Sequence, residues 1–160
     1  SLNYDSVTNL PNRNLVSESF LENTSQHAAW AALVFALDHF ADFSQNQPEA
    51  LVNIVLKGVA DRLKVFFPEA DRLFYLHNNQ FLAFLPSDAG FSGLLHKSQQ
   101  ALAQISEPFR IMGREIYITA SVGIAVYPQQ GADWKELLRH ANAARIAAES
   151  KGGNQAQFVG

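Results

Sequence analysis

Four consecutive polar side chains stand between two apolar segments near the middle of the chain: His77, Asn78, Asn79 and Gln80. Their imidazole and amide groups can donate and accept hydrogen bonds, but the three amides carry no charge. Mg²⁺ prefers anionic oxygen ligands and gives up its water reluctantly, so amides in this pattern make a poor metal site. This polar run therefore either binds a ligand through neutral groups or serves only as a bend in the chain.

Other residues with chemical potential lack the spacing of known sites. The five histidines show no H-x-x-x-H or H-E-x-x-H pattern, and the chain has no cysteine, so neither a zinc site nor a disulfide is expected. Ser121 lacks the G-x-S-x-G context of a nucleophile, and we expect it to be a sheet residue. Gly152 and Gly153 predict the end of a helix rather than a phosphate-binding loop.

The composition is that of one globular domain of ordinary size. The chain has 160 residues, of which 48% are apolar, and a net charge of -3, which gives no electrostatic reason to bind nucleic acid. No apolar run approaches the ~20 residues of a membrane span, and the N-terminus lacks a signal-peptide pattern. We expect residues 1–160 to be a single cytoplasmic domain, excised from a larger protein, that does not itself insert into a membrane.

Hydrophobic periodicity and turn residues predict the elements that would position these side chains. Helices are expected over residues 10–23, 48–67, 91–105 and 134–151. Strands are expected over residues 31–37, 73–77, 80–86, 109–112, 115–127 and 155–159. Asn78 and Asn79 should form the tight turn of the first hairpin, because asparagine tolerates positive φ. This order predicts a largely antiparallel sheet with helices packed on it, an α+β fold.

Three stretches resemble the GGDEF domain, the diguanylate cyclase family. Residues 5–13 (DSVTNLPNR) resemble its D-x-L-T-G-L-P-N-R opening, and residues 119–125 (TASVGIA) resemble its T-x-S-x-G-I-A strand. Residues 77–81 (HNNQF) stand where the family carries Gly-Gly-Asp/Glu-Glu-Phe. The resemblance covers essentially the whole chain. It implies an α/β sandwich like the nucleotidyl cyclases and the polymerase palm, with about five mostly antiparallel strands wrapped by helices.

The resemblance also implies a chemistry for active relatives. They condense two GTP molecules, one per subunit of a dimer, into cyclic di-GMP with the help of carboxylate-held magnesium ions. In this chain His77 and Asn78 occupy the glycine positions of the signature, and Asn79 and Gln80 occupy its acidic positions. Only Phe81, a core residue, is retained.

The remaining metal position is changed as well. The family pattern D-x-D-x-F reads Ala36-Leu37-Asp38-His39-Phe40 here, so its first acid is Ala36. Asp38 matches the second acid, which we expect to be a helix N-cap rather than a metal ligand. With all three metal carboxylates replaced, at Ala36, Asn79 and Gln80, no cofactor is expected.

Positions that match nucleotide contacts are also altered. An ungapped count places Ser44 and Asn53 at the guanine contacts, and Glu149 and Gly153 at the phosphate contacts, where a glutamate would repel a triphosphate. The inhibitory R-x-x-D motif of many relatives falls on residues 68–71. Asp71 is retained, but Pro68 cannot supply the guanidinium that grips the product, so this inhibitory site is expected to be lost.

These replaced positions lead to three hypotheses about function. The leading hypothesis is a catalytically inactive GGDEF domain that acts as a regulatory or interaction module, next to a PAS-type sensor or an EAL-type phosphodiesterase domain in a bacterial protein. Its partners would be neighbouring domains of the same chain, a second copy or another protein. The first alternative is a weak or altered cyclase that uses Asp38, Asp42 and Asn79 as oxygen donors. The second is a GTP sensor that activates a neighbouring phosphodiesterase.

Overall fold

A five-stranded sheet with helices on both faces forms the centre of the computed structural model, which describes residues 2–69 and 72–160. The helices in these ranges are the 3₁₀ helix Arg13–Leu15, α1 (Val16–Gln26), α2 (Phe40–Asn46), α3 (Glu49–Phe66), α4 (Gly90–Ile105) and α5 (Trp134–Ser150). The strands are β1 (Trp30–Leu37), β2 (Leu73–Tyr75), β3 (Gln80–Pro86), β4 (Phe109–Ile111), β5 (Arg114–Ile116), β6 (Ala120–Tyr127) and β7 (Ala156–Phe158).

The sheet has the strand order β2-β3-β1-β6-β7. Only β6 and β7 pair in parallel, and the other neighbouring strands are antiparallel. All eight residues of β1, the middle strand of this order, are buried, and the strand predicted over residues 31–37 is confirmed. The predicted α+β architecture with a mostly antiparallel sheet of five strands is also confirmed.

The two faces of the sheet bury separate hydrophobic clusters. Leu33 and Phe35 of β1 pack in one cluster with residues of α3 and α4. Ala32 and Val34, which alternate with them along the strand, pack in the other with residues of α1 and α5. Gly123 of β6 lets α5 approach the sheet, because a Cβ there would lie 1.8 Å from the carbonyl oxygen of Ala141.

The predicted helices match the observed ones to within a few residues, but the predicted strand over residues 115–127 is wrong as a single element. The chain instead forms β5, which pairs only with β4, and then enters the main sheet as β6. The carbonyl of Thr119 accepts a bond from the amide of Asp38 just before β6 begins, which fixes the change of sheet. In the described part of the chain, no helix combines the length and hydropathy required to cross a membrane.

Candidate functional site

Strands β2 and β3 form the hairpin that carries the signature residues 77–81, here called the signature hairpin; the end of the sheet where it turns is the signature end. The turn lies at Asn78 and Asn79, whose φ angles are 49° and 60°. The amide of Gln80 donates to the carbonyl of His77 over 3.0 Å, which closes the turn. Two successive residues with positive φ match the twist of the flanking strands. The predicted hairpin is therefore confirmed, with two asparagines making a turn that more often contains glycine.

The side chain of Asn79 is bound to the end of the central strand. Its Oδ1 accepts the backbone N–H of Leu37 over 2.6 Å, and its own backbone N–H donates to the hydroxyl of Tyr75 over 3.1 Å. Burial raises the pKa of that Tyr75 hydroxyl, an effect that the bond from Asn79 partly opposes. The amide oxygen of Asn79 thus already serves as an acceptor within the protein.

Ala36, Gln80 and Ser121 form a row across three neighbouring strands, because Ala36 pairs with Gln80 on one side and with Ser121 on the other. Directly opposed residues point to the same face of a sheet. That face is covered by α5, since Gln80 Nε2 donates to Asn142 Oδ1 over 3.0 Å. The prediction that Ser121 is a sheet residue is confirmed. Of the two positions in the row that match metal carboxylates, Ala36 therefore carries a methyl group and Gln80 an amide bound to α5.

Asn142 and Arg145 of α5 extend this contact. Asn142 Oδ1 also accepts from Nε and Nη2 of Arg145, over 3.2 and 2.8 Å. Arg145 Nη1 lies 2.6 Å from Oε2 of Glu149, and their side chains are 11% and 32% exposed. The negative charge of Glu149 is therefore paired. The sequence reasoning missed both Asn142 and Arg145, although the four-residue spacing of Arg145 and Glu149 on a helix was a usable signal.

Asp38 does not cap a helix, so the predicted N-cap role is wrong. The residue that precedes α2 is His39, which has a φ of 54° and makes no side-chain cap. The Asp38 carboxylate is instead 5% exposed and accepts three bonds: from the hydroxyls of Thr119 (2.6 Å) and Ser121 (2.8 Å) and from the backbone N–H of Asn154 (2.9 Å). It joins the ends of β1 and β6 to the turn after α5.

Gly153 belongs to that turn. Its φ is 76°, and a Cβ at this position would lie 2.7 Å from Oδ2 of Asp38. The position that the sequence matches to a phosphate contact is thus occupied by the residue that best tolerates both the left-handed backbone and the close carboxylate.

The residues that match guanine contacts lie in the other helical layer. Ser44 is on α2, where its hydroxyl donates to the carbonyl of Ala41, and Asn53 is on α3. Pro68 is exposed just after α3, while Asp71 lies outside the described residues. Four of the predicted site residues therefore lie at one end of the sheet: Ala36, Asn79, Gln80 and Glu149. Ser44 and Asn53 lie on α2 and α3, away from the hydrogen bonds that join Gln80 to α5.

The donor set at this end does not fit the magnesium ions of active relatives. Asn79 and Gln80 are neutral and engaged within the protein, and Asp38 is occupied by three donors. Asp42 is exposed on α2, beside a shallow cavity of about 420 Å³ that Asp38 also lines. Within residues 2–69 and 72–160, no three His, Asp or Glu side chains form a group that could hold a metal ion. A hard divalent cation would lack the anionic oxygens it prefers.

Comparison with known proteins identifies the family. The family model described as diguanylate cyclase, GGDEF domain, matches residues 2–155, so the chain belongs to the GGDEF-domain family. A solved structure of truncated TpbB (YfiN) from Pseudomonas aeruginosa PAO1, comprising only the GGDEF domain, superposes with a TM-score of 0.87. It is 23% identical and covers 98% of this chain and 94% of the TpbB chain, which supports the fold.

Two curated relatives are also from Pseudomonas aeruginosa PAO1. The cyclic di-GMP phosphodiesterase NbdA is 33% identical over 97% of this chain, and the bifunctional diguanylate cyclase/cyclic di-GMP phosphodiesterase MucR is 31% identical over 94%. The chain spans only 20% of NbdA and 22% of MucR. The chain is thus a GGDEF domain, similar to segments of much longer proteins.

Proposed function

We propose that this GGDEF domain has no cyclase activity and acts as a regulatory or interaction module in cyclic di-GMP signalling. One observation carries the proposal: the side chains at the signature's acidic positions are neutral and hydrogen-bonded within the protein. Asn79 accepts from the end of β1, and Gln80 donates to α5. Phosphoryl transfer depends on positioning and on neutralising the charge that develops on the phosphate oxygens. The metal ions that do so need anionic ligands, and the nearby carboxylates of Asp38 and Glu149 are already bound within the protein.

The surrounding charges support the same proposal. Arg145 is paired with Glu149 and also bound to Asn142, so its guanidinium is not open to a triphosphate. Gly153 has no side chain that could contact a phosphate, and the methyl group of Ala36 cannot bind a metal. The scaffold around these positions remains intact, which fits a role in contact rather than in catalysis.

We further propose that the domain is part of a longer protein, since the chain spans only 20% of NbdA and 22% of MucR. NbdA and MucR are both named as cyclic di-GMP phosphodiesterases. A neighbouring phosphodiesterase domain of the EAL type, with or without a PAS-type sensor, would give the module an activity to regulate. The natural partners are then the adjacent domains or a second copy of the chain, in a cytoplasmic setting.

The test is a turnover assay with GTP and either Mg²⁺ or Mn²⁺, applied to the 160-residue chain and to its full-length parent. We expect the 160-residue chain to make no cyclic di-GMP. If the full-length parent makes cyclic di-GMP, replacing both Asn79 and Gln80 by alanine should leave its rate of synthesis unchanged. An active GGDEF relative assayed in parallel confirms that the conditions support synthesis. Cyclic di-GMP that survives rigorous purification and is lost on these replacements would instead show a cyclase with unusual ligands.

A further inference from the structure

The guanidinium of Arg145 lies beside the signature hairpin. Arg145 Nη2 and Gln80 Nε2 donate to the same acceptor, Asn142 Oδ1, over 2.8 and 3.0 Å. The side chain at position 80 therefore reaches the immediate neighbourhood of a permanent positive charge. The other terminal nitrogen of the same guanidinium, Nη1, donates to Glu149 Oε2 over 2.6 Å.

This charge is fixed rather than mobile. The planar guanidinium presents its donors in a rigid fork, and the Arg145 side chain is only 11% exposed. Three of its nitrogen atoms have acceptors, on Asn142 and Glu149. Glu149 pairs with Nη1, while Nη2 faces the acceptor that Gln80 also binds, so the positive end of this ion pair lies toward position 80 and disfavours a second cation there.

We propose that Arg145 takes the place of a divalent cation at the signature end of the sheet. This inference rests on the proposed loss of metal-dependent catalysis. It explains how the signature hairpin is held without a metal, because Gln80 binds Asn142 and Asn142 binds the guanidinium of Arg145. It also implies that restoring the missing carboxylates alone would not restore metal binding. A glutamate at position 80 would lie beside Arg145 and would compete with Glu149 for its guanidinium.

The test uses a carboxylate variant of the 160-residue chain that combines Ala36→Asp, Asn79→Asp and Gln80→Glu. Its affinity for Mn²⁺ alone, measured from the free-ion signal by electron paramagnetic resonance, is compared with that of the same variant carrying Arg145→Met. We expect Mn²⁺ to bind at least tenfold more tightly once Arg145 is gone. Arg145→Lys, which keeps the positive charge, should leave binding as weak as in the carboxylate variant.

Glu149 requires its own control, because removing Arg145 leaves this carboxylate unpaired and able to bind metal itself. The comparison is therefore repeated with Glu149→Gln in both proteins, and the gain in affinity should persist. A gain that vanishes with Glu149→Gln would overturn the proposal, as would equal Mn²⁺ affinity with and without Arg145.

Circular dichroism confirms that each variant is folded, and Arg145→Gln replaces Arg145→Met if the latter is not. The carboxylate variant also gives an independent readout, since a rise in its melting temperature with Mn²⁺ while Arg145 is present contradicts the proposal. Cyclic di-GMP synthesis by the unaltered chain would instead refute the proposed function, so the two failures are distinguishable.

Discussion

Asp38 and Asn79 are polar side chains that other parts of the chain bind through hydrogen bonds. Asp38 receives two hydroxyl groups and one backbone N–H, and the amide oxygen of Asn79 receives the N–H of Leu37. The Asn78-Asn79 turn could be predicted because its signal is local. The role of Asp38 could not, because its partners Thr119 and Asn154 lie 81 and 116 residues further along the chain.

Replacing Asp38 by asparagine should destabilise the fold. One acceptor oxygen becomes an NH₂ group that faces donors in a buried site, and the charge that strengthens the remaining bonds is lost. We expect Asp38→Asn to lower the free energy of unfolding by about 1–3 kcal/mol, measured by urea denaturation. Asp42→Asn is the matched control, because Asp42 is exposed and the change should stay within about 0.5 kcal/mol. Equal effects of the two substitutions would contradict the structural role of Asp38.

The helices and strands show which parts of the fold are encoded by local pattern. Helices α3 and α5 begin and end close to the predicted positions, because periodicity, Pro48 and Gly152 mark them in the sequence. The division of residues 115–127 was not predictable from alternation, since Ile116 and Ile118 are both buried and continue the strand pattern. What separates β5 from β6 is pairing with different partners, which is a long-range property.

The end of α4 depends on an arginine from α3. Arg62 donates to the carbonyls of Gln104, Ile105, Glu107 and Pro108 over 2.6–3.2 Å, and its guanidinium carbon lies 3.6 Å from the ring centre of Phe109. Gln104 and Ile105 end α4, and Glu107 and Pro108 follow it, so these bonds join Arg62 to the helix end and to the segment that leads to β4. Arg62 thereby connects α3, the end of α4 and the first residue of β4.

Removing Arg62 should therefore loosen this junction. We expect Arg62→Met, which keeps much of the apolar stem, to lower the free energy of unfolding by about 1–3 kcal/mol in urea denaturation. The matched control is Lys57→Met on the same helix, which removes only the exposed ion pair with Asp61 and should change stability by less than about 0.5 kcal/mol. A loss for Arg62→Met no larger than that of the control would contradict the assignment.

At the scale of the whole molecule, the fold and the side chains at the signature positions depend on different features of the sequence. The hydrophobic clusters on the two faces of the sheet are built from apolar side chains that the periodicity predicted. The chemistry of the signature end depends on a few residue replacements, because the sequence has Ala36, Asn79 and Gln80 at positions that match metal carboxylates. The connection of Gln80 through Asn142 to Arg145 needed the packing of α5 on the sheet, and no local pattern specified it.

The central claim is that a signature end without available anions holds no metal–nucleotide complex. Calorimetric titration of the unaltered 160-residue chain with GTP in the presence of Mg²⁺ tests it most directly, with an active GGDEF relative as the positive control. We predict no binding tighter than about 100 µM, because the carboxylates and the phosphate contacts are both replaced. A stoichiometric dissociation constant in the low micromolar range would contradict the account and favour a GTP-sensing domain.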